Sequence, residues 1–598
     1  MRIERHRVGE ALLSATREDF TNRIGREVRS LSKAGPITTG EWQYLAEEFL
    51  EYLGALSADR PALDLPEARA VLKDATEAAA GAVAYAAYFP HVDFHVFLDY
   101  VNFGMSYEPG DRDHGQGRNE VLPHEWVDAF CLAILSDKAE YHGEAFCFAR
   151  QKFGAVRAGD PVAELATGLL AQAVGVLDDE DASYPPSTRE RLAAVDDALE
   201  RIRRRGEATG EDLLDRPHAA ALRTLRALVA GDREEFDAGL SGLLLRQSAL
   251  SGPGARPGSL LPLVPLALAA LAYRGPGWWP AVDTDYLPHA LVTGFETPGP
   301  RVGPFGRDRR PDAVAALAAG PLAVDRPGGP LPVSPDAEEF LVRQAEEAFT
   351  PVDGEPLAVW RLASTARYEE MSFQTRASQA DDVGEREIAT LRRASRMAST
   401  VFRTALAEPG GEVEVTIDGR TLRYPATRDR NEMGPWAWCR AVSLALISGA
   451  REDLAPLVHA GPAVALPEGA ARSAFASYPE ALHDYLRAED PVPATERALA
   501  EVRQGKDWGF FPPPVVLFSQ LVDGDEEGFN LALADALEAH RDHYLVADRA
   551  DGCDSALDLG VLGLACHARR RGWRIRVESP YLPPRVLAAA EPFRGSGR

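Results

Sequence analysis

Gly231-Asp232-Arg233-Glu234-Glu235-Phe236 and Gly524-Asp525-Glu526-Glu527-Gly528-Phe529 each open a helical stretch. Each stretch leads to an apolar helix, then to Gly277-Trp278 or Gly572-Trp573, and finally to Tyr286-Leu287-Pro288 or Tyr581-Leu582-Pro583. The step from Trp to Tyr is the same eight residues in both. Upstream, Asn119-Glu120-x-x-Pro123-x-x-Trp126 answers Asn431-Glu432-x-x-Pro435-x-x-Trp438. The segments that follow, Ala129 to Ser136 and Ala441 to Ser448, are both apolar and helical in period. Two well-separated anchors in one order mark a duplication, and the unit is far longer than a solenoid repeat. The chain is therefore expected to hold two tandem homologous domains, residues 1–294 and 336–598. Between them, residues 295–335 are dense in Pro and Gly (Pro298-Gly299-Pro300, Pro327-Gly328-Gly329-Pro330) and are expected to form a linker, with a short helix over Ala313 to Ala319.

Most of each unit has helical spacing. Trp42, Leu45, Phe49 and Leu50 share one helix face, which Thr38 or Thr39 can cap with Glu41 or Glu48 nearby. Val71 to Tyr88 is an Ala-rich helix. One stretch departs from this period: Glu412 to Tyr424 alternates around Asp418-Gly419, the signature of a β-hairpin. Asp93 to Tyr107 holds the corresponding place in the first unit. The expected fold class is mainly α, with a small β-hairpin insertion in each of the two domains.

The chain has 598 residues, a net charge of −26, and only five lysines among 65 basic residues. A nucleic-acid binder would carry a basic excess to meet phosphates, so nucleic acid is not an expected partner. The apolar run Leu260 to Tyr273 is short for a membrane span and contains Pro262 and Pro265, so it is expected to be a buried helix. Five cysteines without a CxxC pair suit reduced thiols in a cytoplasm.

The sequence holds few chemistry-bearing motifs. His124-Glu125 has no second His four residues on, and Asp111-Arg112-Asp113-His114 lacks the spacing of a calcium loop. His91 and His95 are too far apart to share a metal on an extended strand, and Glu538, His540 and His543 lack further ligands. No nucleophile elbow, phosphate loop or dinucleotide fingerprint occurs. Cys131 and Cys439 sit on apolar helices as core thiols. No catalytic residue, metal or cofactor is expected. The aromatic set near each unit's end either closes the core or anchors a partner, since Trp and Tyr are the usual interface anchors. The candidate partner-binding residues are Trp573, Tyr581, Trp278, Tyr286 and Glu578.

The C-terminal pattern, clearest in Arg571-Gly572-Trp573-Arg574-Ile575-Arg576-Val577-Glu578-Ser579-Pro580-Tyr581-Leu582-Pro583, together with the upstream Gly-Asp-x-x-x-Phe helix pair, resembles the immunity protein 49 family of bacterial polymorphic toxin systems. The resemblance is clearest over residues 213–294 and 507–588. It implies a largely helical, cytoplasmic, actinobacterial protein that binds and neutralises a cognate toxin, and it carries no catalytic residues over. One unit would suffice for that role; here there are two. A basic toxin would suit the acidic chain, occluded without nucleic acid or membrane taking part. The alternative expectation is an enzyme or small-molecule-binding regulator on a duplicated helical scaffold. It would be marked by a cleft with convergent polar groups of perturbed pKa.

Overall fold

The computed structural model describes residues 1–110, 119–154, 157–175, 186–249, 255–327, 334–350, 357–380, 382–467, 469, 472, 475–504 and 511–591. Among them are 24 α-helices and three two-stranded sheets, so the fold is mainly α. The chain divides into two units, Met1–Pro298 and Gly299–Arg598.

In the first unit, helices Thr39–Asp59 and Pro66–Tyr88 pack along one another and carry the hairpin Phe94–Leu98/Phe103–Tyr107. Helices Pro123–Leu135, Gly143–Gln151, Pro161–Ala173, Thr188–Thr209, Pro217–Ala230, Arg233–Ser248, Leu263–Arg274 and His289–Thr293 follow. The second unit runs through the same series: Val359–Ser378, Glu385–Leu406, hairpin Glu412–Ile417/Arg420–Pro425, then Pro435–Ser448, Arg451–Ala460, Ser477–Leu486, Val492–Arg503, Val515–Asp523, Glu526–Tyr544, Leu559–Arg570 and Pro584–Ala589. The duplication is thus a duplication of element order as well as of motifs.

Local chemistry accounts for the elements. Thr38 caps the first long helix, its N–H donating to Glu41 Oε2 at 2.7 Å, while Glu48 pairs instead with Arg23. Asp418 and Gly419 both have positive φ, the requirement of a two-residue hairpin turn. Val413, Val415 and Ile417 alternate inward with Leu422 and Tyr424 across the register. In the first unit the buried Asp74 carboxylate fastens the hairpin loop by accepting the N–H groups of Asp99 (3.0 Å) and Tyr100 (2.9 Å). The apolar helix Leu263–Arg274 is buried within its unit.

Each unit is centred on its motif tryptophan. Trp126 and Trp438 are fully buried. Their indole N–H groups donate to Phe146 O (3.0 Å) and Leu457 O (2.8 Å), carbonyls of the helix that follows in each case. An arginine at the end of the apolar helix then caps the tryptophan helix. Arg274 donates to Ile134 O and Leu135 O at 2.7 and 2.9 Å, and also to Leu291 O and Val292 O. Arg570 donates to Leu446 O and Ile447 O. Free helix-end carbonyls need such partners, and a cation there also meets the helix dipole. We expect Arg274→Met, which keeps the stem and removes all four bonds, to cost about 2–3 kcal/mol in chemical denaturation. A loss under about 0.5 kcal/mol would show that water replaces the guanidinium.

The expected linker requires a correction. Residues 299–326 pack on the second unit rather than spanning freely. Arg301 binds Asp535 and Glu538 at 2.7 and 2.6 Å, Phe305 N–H donates to Ser519 Oγ at 3.1 Å, and Val302, Ala313, Leu317 and Val324 are buried. The short helix is Pro311–Ala319, with proline in its first turn. Proline and glycine exclude regular structure, but not packing through the side chains between them. Of the Pro327-Gly328-Gly329-Pro330 run, residues 328–330 lie outside the described residues.

A third repeat anchor emerges from this segment. Leu322–Ala323 pairs in parallel with Val577–Glu578, as Arg2 bridges in parallel to Asp283 in the first unit. Ile3 and Val324 are both buried beside these pairings. Arg5 and Arg326 then hold matching positions: each guanidinium lies over the ring of Tyr286 or Tyr581, at 5.9 and 5.8 Å. Each also donates to carbonyls of two other segments, Ser57 and Leu260 for Arg5, Ser378 and Ala556 for Arg326. The second copy therefore begins within the expected linker, at Ala323-Val324-Asp325-Arg326 against Arg2-Ile3-Glu4-Arg5.

Candidate partner-binding site

The aromatic corner is built alike in both units. Glycine lets the chain leave the apolar helix, and the tryptophan folds back on the phenylalanine of the Gly-Asp helix pair. Ring centres lie 6.0 Å apart for Trp278 and Phe236, and 5.5 Å for Trp573 and Phe529. Tyr-Leu-Pro then starts the last short helix, with Pro288 or Pro583 at its N-cap.

Two of the five expected contact residues are core residues, and this is a correction. Tyr286 is 0% exposed and Tyr581 is 3% exposed. The Tyr286 hydroxyl accepts the His6 N–H at 2.9 Å and lies 2.6 Å from His6 Nδ1. Tyr581 sits edge-on against His540 at 5.0 Å, and burial pushes its hydroxyl up to about 12. A tyrosine buried to this extent has almost no surface left to offer a partner. Trp278 and Trp573 remain half-buried, the latter under Arg571 at 4.7 Å, and Glu578 is exposed. In the first unit the neighbouring Trp279 is 41% exposed and lines a cleft of about 280 Å³ with Asp283, Thr284 and Leu287.

The other sequence candidates separate. Glu538 is taken by Arg301, and His540 is buried with Nε2 3.0 Å from Asp554 O, so these residues do not gather around one point. Asp111-Arg112-Asp113-His114 lies outside the described residues. Among the described residues no group of three His, Cys, Asp or Glu side chains is arranged to hold a metal ion. Cys131 and Cys439 are buried, and burial raises both thiols above their ordinary value.

A further cavity lies elsewhere. A cleft of about 370 Å³ opens between helices Val359–Ser378, Glu385–Leu406 and Pro435–Ser448 of the second unit. Its walls include Ala363, Ala398 and Ala437, with Phe402 beneath, and Asn431 and Glu432 of the duplicated motif line it. Arg367 and Arg440 clasp the buried Glu370 carboxylate, Arg440 at 3.5 Å, and Arg367 also binds Asp554 at 3.2 Å. Burial pushes the Glu370 carboxyl up against the pull of Arg440 and Arg367; burial and then Asp429 push Glu432 up. In the first unit, Asn119 and Glu120 also line a cleft, of about 190 Å³, with Lys152, Phe153 and Arg157. Sequence reasoning used the Asn-Glu pair only as an anchor of the repeat. The available signal was two adjacent polar residues kept in both copies.

These features define a tandem-duplicated, mainly α-helical protein whose copies share one framework and each carry a cleft beside the tryptophan helix. The model of the Immunity protein 49 family matches residues 63–291 and again residues 378–586. The chain belongs to the Immunity protein 49 family, as two tandem copies. No curated protein and no solved structure matches it.

Proposed function

We propose that the chain is a cytoplasmic immunity-type protein that binds a cognate toxin of basic charge and neutralises it by occluding the toxin's active site. Membership of the Immunity protein 49 family in both copies carries the reading. Charge supports it: residues 1–298 hold 46 acidic against 30 basic side chains, and residues 299–598 hold 45 against 35, so both copies attract a cationic protein rather than nucleic acid. An inhibitor needs no reactive group, only a complementary surface with a desolvated centre.

The cleft of the second unit favours a second reading, a small-molecule site, because polar groups with raised pKa converge there. Three of its four charged groups, Arg367, Glu370 and Arg440, are nevertheless spent on one another and on Asp554. The nearby Cys553 thiol is raised by burial and by Asp554, the opposite of nucleophile activation.

Co-expression with the cognate toxin domain tests the proposal. Restored growth and a stable complex on gel filtration are expected. Absence of both would leave the small-molecule reading ahead.

A further inference from the structure

In the second unit Asn431 and Glu432 repeat Asn119 and Glu120, yet neither side chain has an ion pair or hydrogen bond among the described residues, and neither packs in the core. Residues kept in both copies, and held by no such bond in the second, call for another use. Their surroundings indicate one. Of the four charged residues that line the cleft, Arg367, Glu370 and Arg440 form one paired chain with Asp554, which balances two positive charges against two negative. Glu432 is left as the uncompensated charge of the lining. The cleft walls include Ala363, Ala398 and Ala437, whose small side chains leave room for a long, thin, apolar stem.

The surface around the cleft is that of an interface. Trp360 is 52% exposed and Trp436 is 41% exposed. Trp360 stands one helical turn before Ser364 and two before Arg367, and Trp436 one turn before Arg440, all three of them lining residues. Two exposed tryptophans thus flank the cleft, one on each facing helix. Large exposed aromatics beside a polar-lined concavity are the usual composition of a binding centre.

We propose that this cleft receives a lysine or arginine side chain of the toxin, its stem against Ala363, Ala398 and Ala437 and its cationic head on Glu432 and the Asn431 amide oxygen. This rests on the reading of the chain as a toxin-binding protein, and it assigns the primary contact to the second copy. Trp360 and Trp436 close over the docked side chain and exclude water from the ion pair. The acidic surface brings the toxin in; the cleft holds it.

Two measurements on the full chain test this. The first needs no toxin: Nα-acetyl-arginine methylamide and its neutral citrulline isostere are titrated and followed by NMR. The cation should bind about fivefold more tightly than the isostere, and Glu432→Gln should erase the difference. Equal binding of the two probes, or preference retained in Glu432→Gln, overturns the proposal. The second uses the toxin complex. Glu432→Gln and Trp436→Ala should each weaken it about tenfold or more, with circular dichroism and melting temperature unchanged because both side chains lie outside the core. A wild-type complex that tolerates both substitutions overturns the cleft and leaves the toxin-binding reading standing. Failure of the wild-type chain to bind any toxin, with probe preference intact, defeats the functional reading instead.

Discussion

Trp438→Ala should cost the second unit about 4–5 kcal/mol of stability. The indole is fully buried, stands 5.5 Å edge-on from the His483 ring and donates its only N–H to Leu457 O at 2.8 Å. Truncating a buried Trp to Ala typically costs about 3–5 kcal/mol through lost transfer energy and the cavity left behind. Here a helix carbonyl also loses its donor, at about 1–3 kcal/mol if water cannot reach it. These overlap, because the cavity can admit a water to that carbonyl, so the sum stays near the upper end of the first range. Trp438→Phe separates the parts: it keeps most of the ring and removes only the hydrogen bond, so about 1–2 kcal/mol should be lost. Trp126→Ala should act alike on the first unit, since that indole donates to Phe146 O at 3.0 Å. Denaturant unfolding followed by circular dichroism reads all three. A cost below about 2 kcal/mol for Trp438→Ala would mean that the tryptophan helix is held by its alanine and leucine contacts and the Arg570 cap alone.

Both tryptophans were legible in the sequence because the motif around them is long: an Asn-Glu pair, a proline at the helix start and the ring itself, all at one spacing. The second hairpin was legible for a local reason, since Asp418-Gly419 supplies positive φ where two strands must turn. What stayed hidden depends on distant partners. Tyr286 is a core residue because His6, 280 positions away, satisfies its hydroxyl. Tyr581 is one because His540 and Arg326 close around it. From sequence alone, an aromatic beside a proline corner suits core and interface equally. The true start of the second copy is hidden in the sequence because Val324-Asp325-Arg326 shares only its arginine with Ile3-Glu4-Arg5, and the run is embedded in proline and glycine. The cleft escaped for the same reason as the tyrosines: Arg367 and Glu370 come from a helix remote in sequence from Asn431 and Glu432.

Association with the toxin should slow by about 10- to 100-fold between 10 mM and 150 mM salt, while dissociation changes by less than about threefold. The net charge of −26 is spread over both copies, so the attraction reaches far into solution at low ionic strength. The screening length is about 30 Å at 0.01 M and about 8 Å at 0.15 M, so physiological salt confines that attraction to the immediate surface. Dissociation starts from groups already in contact, where water and ions are excluded and screening is weak. The two steps can therefore be separated by substitution. Trp436→Ala leaves the charge untouched, so it should leave the association rate within about twofold and raise the dissociation rate. Neutralising exposed acidic residues that do not line the cleft, such as Glu578, Glu10 and Asp283, should do the reverse, lowering the association rate and flattening its salt dependence. Stopped-flow mixing across a salt series measures both rates. An association rate indifferent to salt would show that the acidity serves solubility alone, and recognition would then rest on the cleft and its tryptophans without long-range help.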